Sequence, residues 1–125
     1  MSLITRTVEA VNHVRRELGA DPVPDLVPGC VGAEDDCPVA RAVTLGLPDH
    51  YAAEVSGAEI VVFRIGRVVL RGTLPSEPQP NQAGGITYQS FVDLFDAGPG
   101  LPYKHYRLPD RDYRSEAREY PDVVA

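Results

Sequence analysis

The chain has 125 residues, 43% of them hydrophobic and 24% charged, with a net charge of −6. That length and apolar share suit one modest core and argue against wholesale disorder, while the acidic balance argues against general phosphate-backbone binding, which needs a basic footprint. No stretch approaches the ~18 apolar residues that a membrane span requires.

The charge is uneven: residues 1–57 hold four Arg against nine Asp and Glu, whereas residues 58–125 hold eight Lys and Arg against nine acids. Arg6, Glu9, Arg15 and Arg16 interrupt the N-terminus, which lacks the apolar block of a secretory signal. With two cysteines as well, the chain reads as cytoplasmic, with free thiols. Twelve Pro and eleven Gly point to short elements joined by substantial loops.

The first predicted helix covers Thr5 to Leu18, with Ile4, Val8, Val11, Val14 and Leu18 on one side, Ser2 or Thr5 as cap and Gly19 as stop. Pro22, Pro24 and Pro28 make the next stretch irregular. A second helix is expected to begin at Asp36, whose carboxylate would cap the first turn, with Pro38 at an early helical position and Val39, Ala42, Val43 and Leu45 on its buried side. The strongest tertiary signal is a β-hairpin, Glu59–Ile65 with Val68–Leu74 around Gly66-Arg67. A type II′ turn there pairs Ile65 with Val68, Phe63 with Leu70 and Val61 with Gly72 on an apolar inner face. Arg64, Val69, Val62 and Arg71 then lie on a mixed outer face. Pro75 to Gly85 reads as a loop, and Tyr88 to Ala97 as a third helix capped by Thr87. The stretch from Leu101 to Ala125 holds four of the six tyrosines, with a short polar helix conceivable over Asp110 to Tyr120.

These elements make an α+β fold: two N-terminal helices, a central antiparallel hairpin or small sheet, one later helix and a C-terminal arm. Residues 1–100 form a single globular domain in this reading, and 101–125 an arm that packs on the domain or on a partner. The expected core comprises Val8, Val11, Leu18, Val39, Val43, Val61, Phe63, Ile65, Val68, Leu70, Phe91, Leu94 and Phe95.

Chemistry-capable residues gather between Pro28 and Ala42. Cys30 and Cys37, with His50 as the nearest imidazole in sequence, are the candidate metal or thiol site, although zinc usually takes four ligands with a closer Cys pair. Packing as small hydrophobes is the plainer role for both thiols. Asp35 and Asp36 beside Cys37 oppose the thiolate-stabilising effect of a helix start. Glu34-Asp35-Asp36 lacks the alternating ligand spacing of a calcium loop. There is no phosphate loop, nucleophile elbow or HExxH, so the chain reads as a non-enzyme, and no cofactor is expected.

The run Asp36-Cys37-Pro38-Val39-Ala40-Arg41-Ala42 resembles small uncharacterised proteins of actinobacteria and their bacteriophages, in which a Gly/Asp-rich turn leads into Cys-Pro and an Ala/Arg helix. The resemblance spans about fifteen residues and carries no catalytic residue. It implies a small cytoplasmic protein, phage-encoded in one reading, acting on a host component.

Interface candidates are Arg64, Arg71, Val62 and Val69 on the hairpin, and Tyr103, Tyr106 and Arg107 in the arm, because Arg and Tyr recur at interface hot spots. The alternatives are solvated arginines that guard a sheet edge and tyrosines that close the chain's own core. The leading function is therefore a non-enzymatic protein-interaction module with a protein partner, or a second copy in a homodimer. A metal- or thiol-dependent module at Cys30, Cys37 and His50 is the alternative. Nucleic-acid binding through the hairpin arginines and the tyrosines ranks third.

Overall fold

In the computed structural model, which describes residues 1–97 and 103–108, Ser2 opens the first helix. Its side chain accepts the Thr5 amide at 3.1 Å, and helix α1 runs Leu3–Glu17. Leu3, Thr7, Val11 and Val14 form the buried stripe. Ile4, Val8 and Leu18 pack at its margin, so the seam is rotated slightly from the predicted one. Thr7 fits the stripe because its hydroxyl donates to Leu3 O at 2.7 Å, which satisfies a polar atom that burial would otherwise penalise. Gly19 ends the helix at φ +75°, a conformation that glycine adopts without a Cβ clash.

The proline-rich stretch after α1 is held by side chains rather than by regular structure. Asn12 clamps Val23 from both sides, donating to its carbonyl at 3.0 Å and accepting its amide at 2.8 Å. Helix α2 spans Pro38–Thr44, and its cap lies one residue later than expected. The cap is Cys37, whose sulfur accepts the Ala40 amide at 3.4 Å. Asp36 is diverted: its carboxylate accepts from the Cys30 thiol at 2.9 Å and pairs with Arg41. At the other end of α2, the buried Arg15 of α1 donates to the carbonyls of Ala42, Val43 and Leu45 at 2.9, 3.0 and 2.8 Å. Those carbonyls lack intrahelical partners, and a cation suits the negative end of a helix. Burial lowers the Arg15 pKa, and nearby Asp21 counteracts the shift.

Strands β1 (Tyr51–Ser56), β2 (Glu59–Arg64) and β3 (Arg67–Thr73) form an antiparallel sheet in the order β1-β2-β3. The predicted hairpin exists, but its turn lies one residue earlier. Ile65 and Gly66 are the central residues, at φ +53° and +73°, and Arg64 opposes Arg67. A one-residue slip turns the strand over. Ile60 and Val62 therefore face the core, paired with Val55 and Ala53 of β1, while Val61 and Phe63 face outward and Ile65 and Val68 are exposed. The hairpin alone has apolar residues on both faces, so its own pattern does not choose between registers. Strand β1, which the sequence reading did not assign, extends the Ile60/Val62 face with the buried Ala53 and Val55. An irregularity between Val62 and Phe63 shifts the register, so that Val62 opposes Leu70 and Phe63 opposes Val68.

Helix α1 crosses the inner face closely at Gly72, where an added Cβ would lie 2.6 Å from Val14 Cγ2. Helix α2 packs beside it against β1.

A second hairpin replaces the expected loop. Strands β4 (Ser76–Pro80) and β5 (Ile86–Ser90) pair antiparallel, with Pro78 opposite Tyr88 and Pro80 opposite Ile86. Proline fits because a two-stranded ribbon leaves outward amides unused. Asn81 organises the turn by accepting the Ala83 and Gly85 amides at 3.0 and 2.8 Å. Helix α3 is consequently shorter than predicted, Phe91–Asp96, and its cap is Ser90 rather than Thr87. Ser90 and Asp93 form a reciprocal capping box. The core gathers Val11, Val14, Val39, Val43, Ile60, Val62, Phe91 and Phe95, all at or near zero exposure. Among the described residues, no helix is long and apolar enough to cross a membrane.

Candidate interaction surface

The outer face of the β1–β3 sheet is built by alternation. With Ala53, Val55, Ile60 and Val62 turned inward, Val61 and Phe63 of β2 face outward, and Val68 and Val69 of β3 add 46% and 47% exposed side chains beside them. Arg71, opposite Val61, forms an ion pair with Glu59 at 2.8 Å. Both side chains are more than half exposed, so the pair adds little stability and leaves Arg71 available to other partners. Arg64 sits at the turn with its guanidinium 5.9 Å from the centre of the Tyr51 ring. Ile65, at the tip, is 74% exposed.

The interface candidates therefore divide. Arg64, Val69 and Arg71 lie on the exposed hairpin, whereas Val62 is fully buried against the helices. The arm candidates sit elsewhere, around α3. Tyr106 is buried, its ring edge-on to Phe91 at 5.5 Å and its hydroxyl donating to Asp25 at 2.7 Å. Burial, and then the hydrogen bond to Asp25, raise the Tyr106 pKa. Tyr103 meets the same Phe91 ring at 4.7 Å. Arg107 lies over Phe95 at 4.7 Å and donates to its carbonyl. The stretch Asp110 to Tyr120 lies outside the described residues.

The sequence reading missed Ile65 and Val68 as surface groups, together with Pro78, Pro80, Ile86 and Tyr88 on one side of the second hairpin. The β-rich run Ile86-Thr87-Tyr88 was the available signal for that hairpin.

Both cysteines are buried and neither is in a disulfide. Burial pushes the Cys37 thiol up to about 11, which favours the protonated form at neutral pH. His50 lies at the entry to β1, its ring 4.8 Å from that of Tyr51. Among the described residues, no group of three His, Cys, Asp or Glu side chains is arranged to hold a metal ion. A shallow cleft of about 200 Å³ opens between Glu34, Val55, Val92, Asp93 and Asp96. Two of its three acids already serve the fold: Asp93 closes the α3 cap, and Asp96 accepts the Gly32 amide at 3.0 Å. Partial burial raises the Asp96 pKa, and Asp93 adds to the shift.

No protein-family model, no curated protein and no solved structure matches the chain. Its chemistry is therefore read from the residues alone: an apolar sheet face fringed by arginines, buried thiols and an acid-lined cleft.

Proposed function

We propose that this chain is a non-enzymatic protein-interaction module of the cytoplasm, with the outer face of the β1–β3 sheet as its contact surface. The supporting observation is the group Val61, Phe63, Val68 and Val69 on the outer sheet face, the first two half-buried and the last two exposed, with Arg71 on that face and Arg64 exposed at the turn. Apolar groups surrounded by arginine suit a desolvated interface. In keeping with the resemblance at Asp36–Ala42, the partner would be a component of a bacterial host and the chain phage-encoded. Phage genes flanking its own would support that part.

The test is an affinity capture from bacterial lysate using wild type, Arg64→Glu/Arg71→Glu and Val68→Ser/Val69→Ser, after melting curves show that all three are folded. Discrete proteins recovered by wild type and lost by both variants would support the reading. The same set from all three, or none from any, would overturn it.

A further inference from the structure

We propose that the free edge of β3 binds an extended acidic segment of a partner protein by strand addition. The proposal rests on reading the sheet as an interaction surface and goes beyond it, because it names the part of the sheet used and the chemistry of the occupant.

Among the described residues, strand β3 pairs with β2 alone, so one side of its backbone has no strand partner there. The ladder sets which groups point outward. Leu74 N donates to Ala58 O at 2.6 Å, and Gly72 opposes Ile60. In an antiparallel pair, alternate residues exchange hydrogen bonds with the partner strand and those between them turn away. The N–H and C=O groups of Arg71 and Thr73 therefore face the open side. Both residues are exposed. Strand addition satisfies such groups with main-chain hydrogen bonds, while side chains select the partner.

The selecting charge is local. Residues 60–76 contain Arg64, Arg67 and Arg71 and no Asp or Glu, within a chain of net charge −6. Arg67 and Arg71 flank Val68, Val69 and Leu70 along the strand, and the Arg71–Glu59 pair is solvent-exposed and open to exchange, which matches an incoming segment that reads acid, apolar, acid. A second copy of the chain fits less well, since pairing β3 with itself would align arginine-rich strands, and like charges across a sheet destabilise it. A nucleic acid would meet the arginines but offers no peptide groups to the edge, and it would approach an acidic protein.

The probe is a fluorescent peptide, Thr-Glu-Val-Thr-Val-Glu-Val-Thr, titrated by anisotropy. The controls are the same peptide with lysine for glutamate and the same peptide with alternate backbone nitrogens methylated. The acidic peptide should bind saturably and protect the Arg71 and Thr73 amides from hydrogen exchange. Both control peptides should bind at least about tenfold more weakly. Thr73→Pro, which removes an outward N–H without touching the β2–β3 ladder, and Arg67→Glu should each weaken binding by a similar factor. The inference is overturned if the lysine or methylated peptide binds equally well, or if the two amides stay unprotected in the complex. Competition by single-stranded oligo-dT would overturn it in favour of nucleic acid. A dimer in sedimentation that Thr73→Pro dissociates would overturn it in favour of self-pairing. Failure of the acidic peptide to bind, while the wild-type lysate capture still depends on Val68 and Val69, would overturn the strand-addition proposal and leave the interaction surface standing.

Discussion

Cys37 illustrates how one buried atom can set both a local structure and a pH limit. Its sulfur caps α2 while being almost wholly excluded from water, and burial of that thiol resists formation of the thiolate. A folded-state pKa raised from 9.0 to about 11 means that the unfolded chain loses this proton first as pH rises. The associated stability is fully present below about pH 9 and is lost on the way to about pH 11, at up to ~1.4 kcal/mol per pH unit. Serine at this position keeps an oxygen for the Ala40 amide, a favoured capping arrangement, and does not titrate. Urea unfolding of wild type and Cys37→Ser should therefore give a constant stability difference up to pH 9. By pH 11 the difference should have moved in favour of serine by on the order of 2 kcal/mol. Comparing the pair cancels the alkaline titration of Tyr103 and Tyr106, which both proteins share. A difference that stays flat over this range would show that the thiol ionises alike in both states.

At the level of elements, the β2–β3 hairpin is where two local rules compete. A two-residue turn with both central residues at positive φ suits the twist of the strands, but it places the β-branched Ile65 in a conformation such residues avoid. The offset comes from burying Ile60 and Val62 in the shared core. This face assignment predicts opposite responses from two valines on neighbouring strands. Val62→Ala should lower unfolding free energy by about 2 kcal/mol through a cavity in the core, while Val69→Ala should stay within about 0.5 kcal/mol. Denaturant midpoints measured side by side would reveal the reverse ranking if the hairpin instead turned its Val61/Phe63 face inward. The same competition explains what the sequence could reveal. Helix α1 was legible because a single apolar stripe and a glycine stop agree. The hairpin was legible as a hairpin but not in its facing, since both faces carry apolar residues and either could be the inner one. Strands β4 and β5 were hidden because Pro78 and Pro80 resemble loop residues until Tyr88 and Ile86 are found opposite them. Of the candidate surface, Val69 and Arg71 could be read from alternation, whereas Arg64, which shares the parity of Val62, is exposed because it sits at the turn. Val62 could not, and no local pattern tells that Arg15 reaches the carbonyls of another helix.

For the molecule as a whole, the informative segment is 103–108, the described part of the expected arm. It returns to the first third of the chain, where Gly29 N donates to Tyr106 O at 2.6 Å, and Gly29 and Arg107 form a parallel bridge. Gly29 has no room for a side chain, because an added Cβ would lie 2.6 Å from the backbone of Cys37 and Pro38. The irregular loop is therefore pressed between the start of α2 and this returning segment. Tyr106 also reaches Asp25 through its hydroxyl and Phe91 through its ring, so one side chain joins the proline-rich loop to α3. Removing only the hydroxyl leaves the packing intact, and Asp25 keeps the Leu26 amide at 2.8 Å. Tyr106→Phe should accordingly lower stability by about 1 kcal/mol. Tyr106→Ala removes the ring from a buried site and should lower it by about 3–5 kcal/mol. Hydrogen exchange should then show the Gly29 and Cys30 amides losing protection in the alanine variant well before those of β2, since the loop is held by the segment that Tyr106 anchors. If Tyr106→Ala melts like wild type with these amides still protected, residues 103–108 lie against the domain without belonging to its cooperative unit.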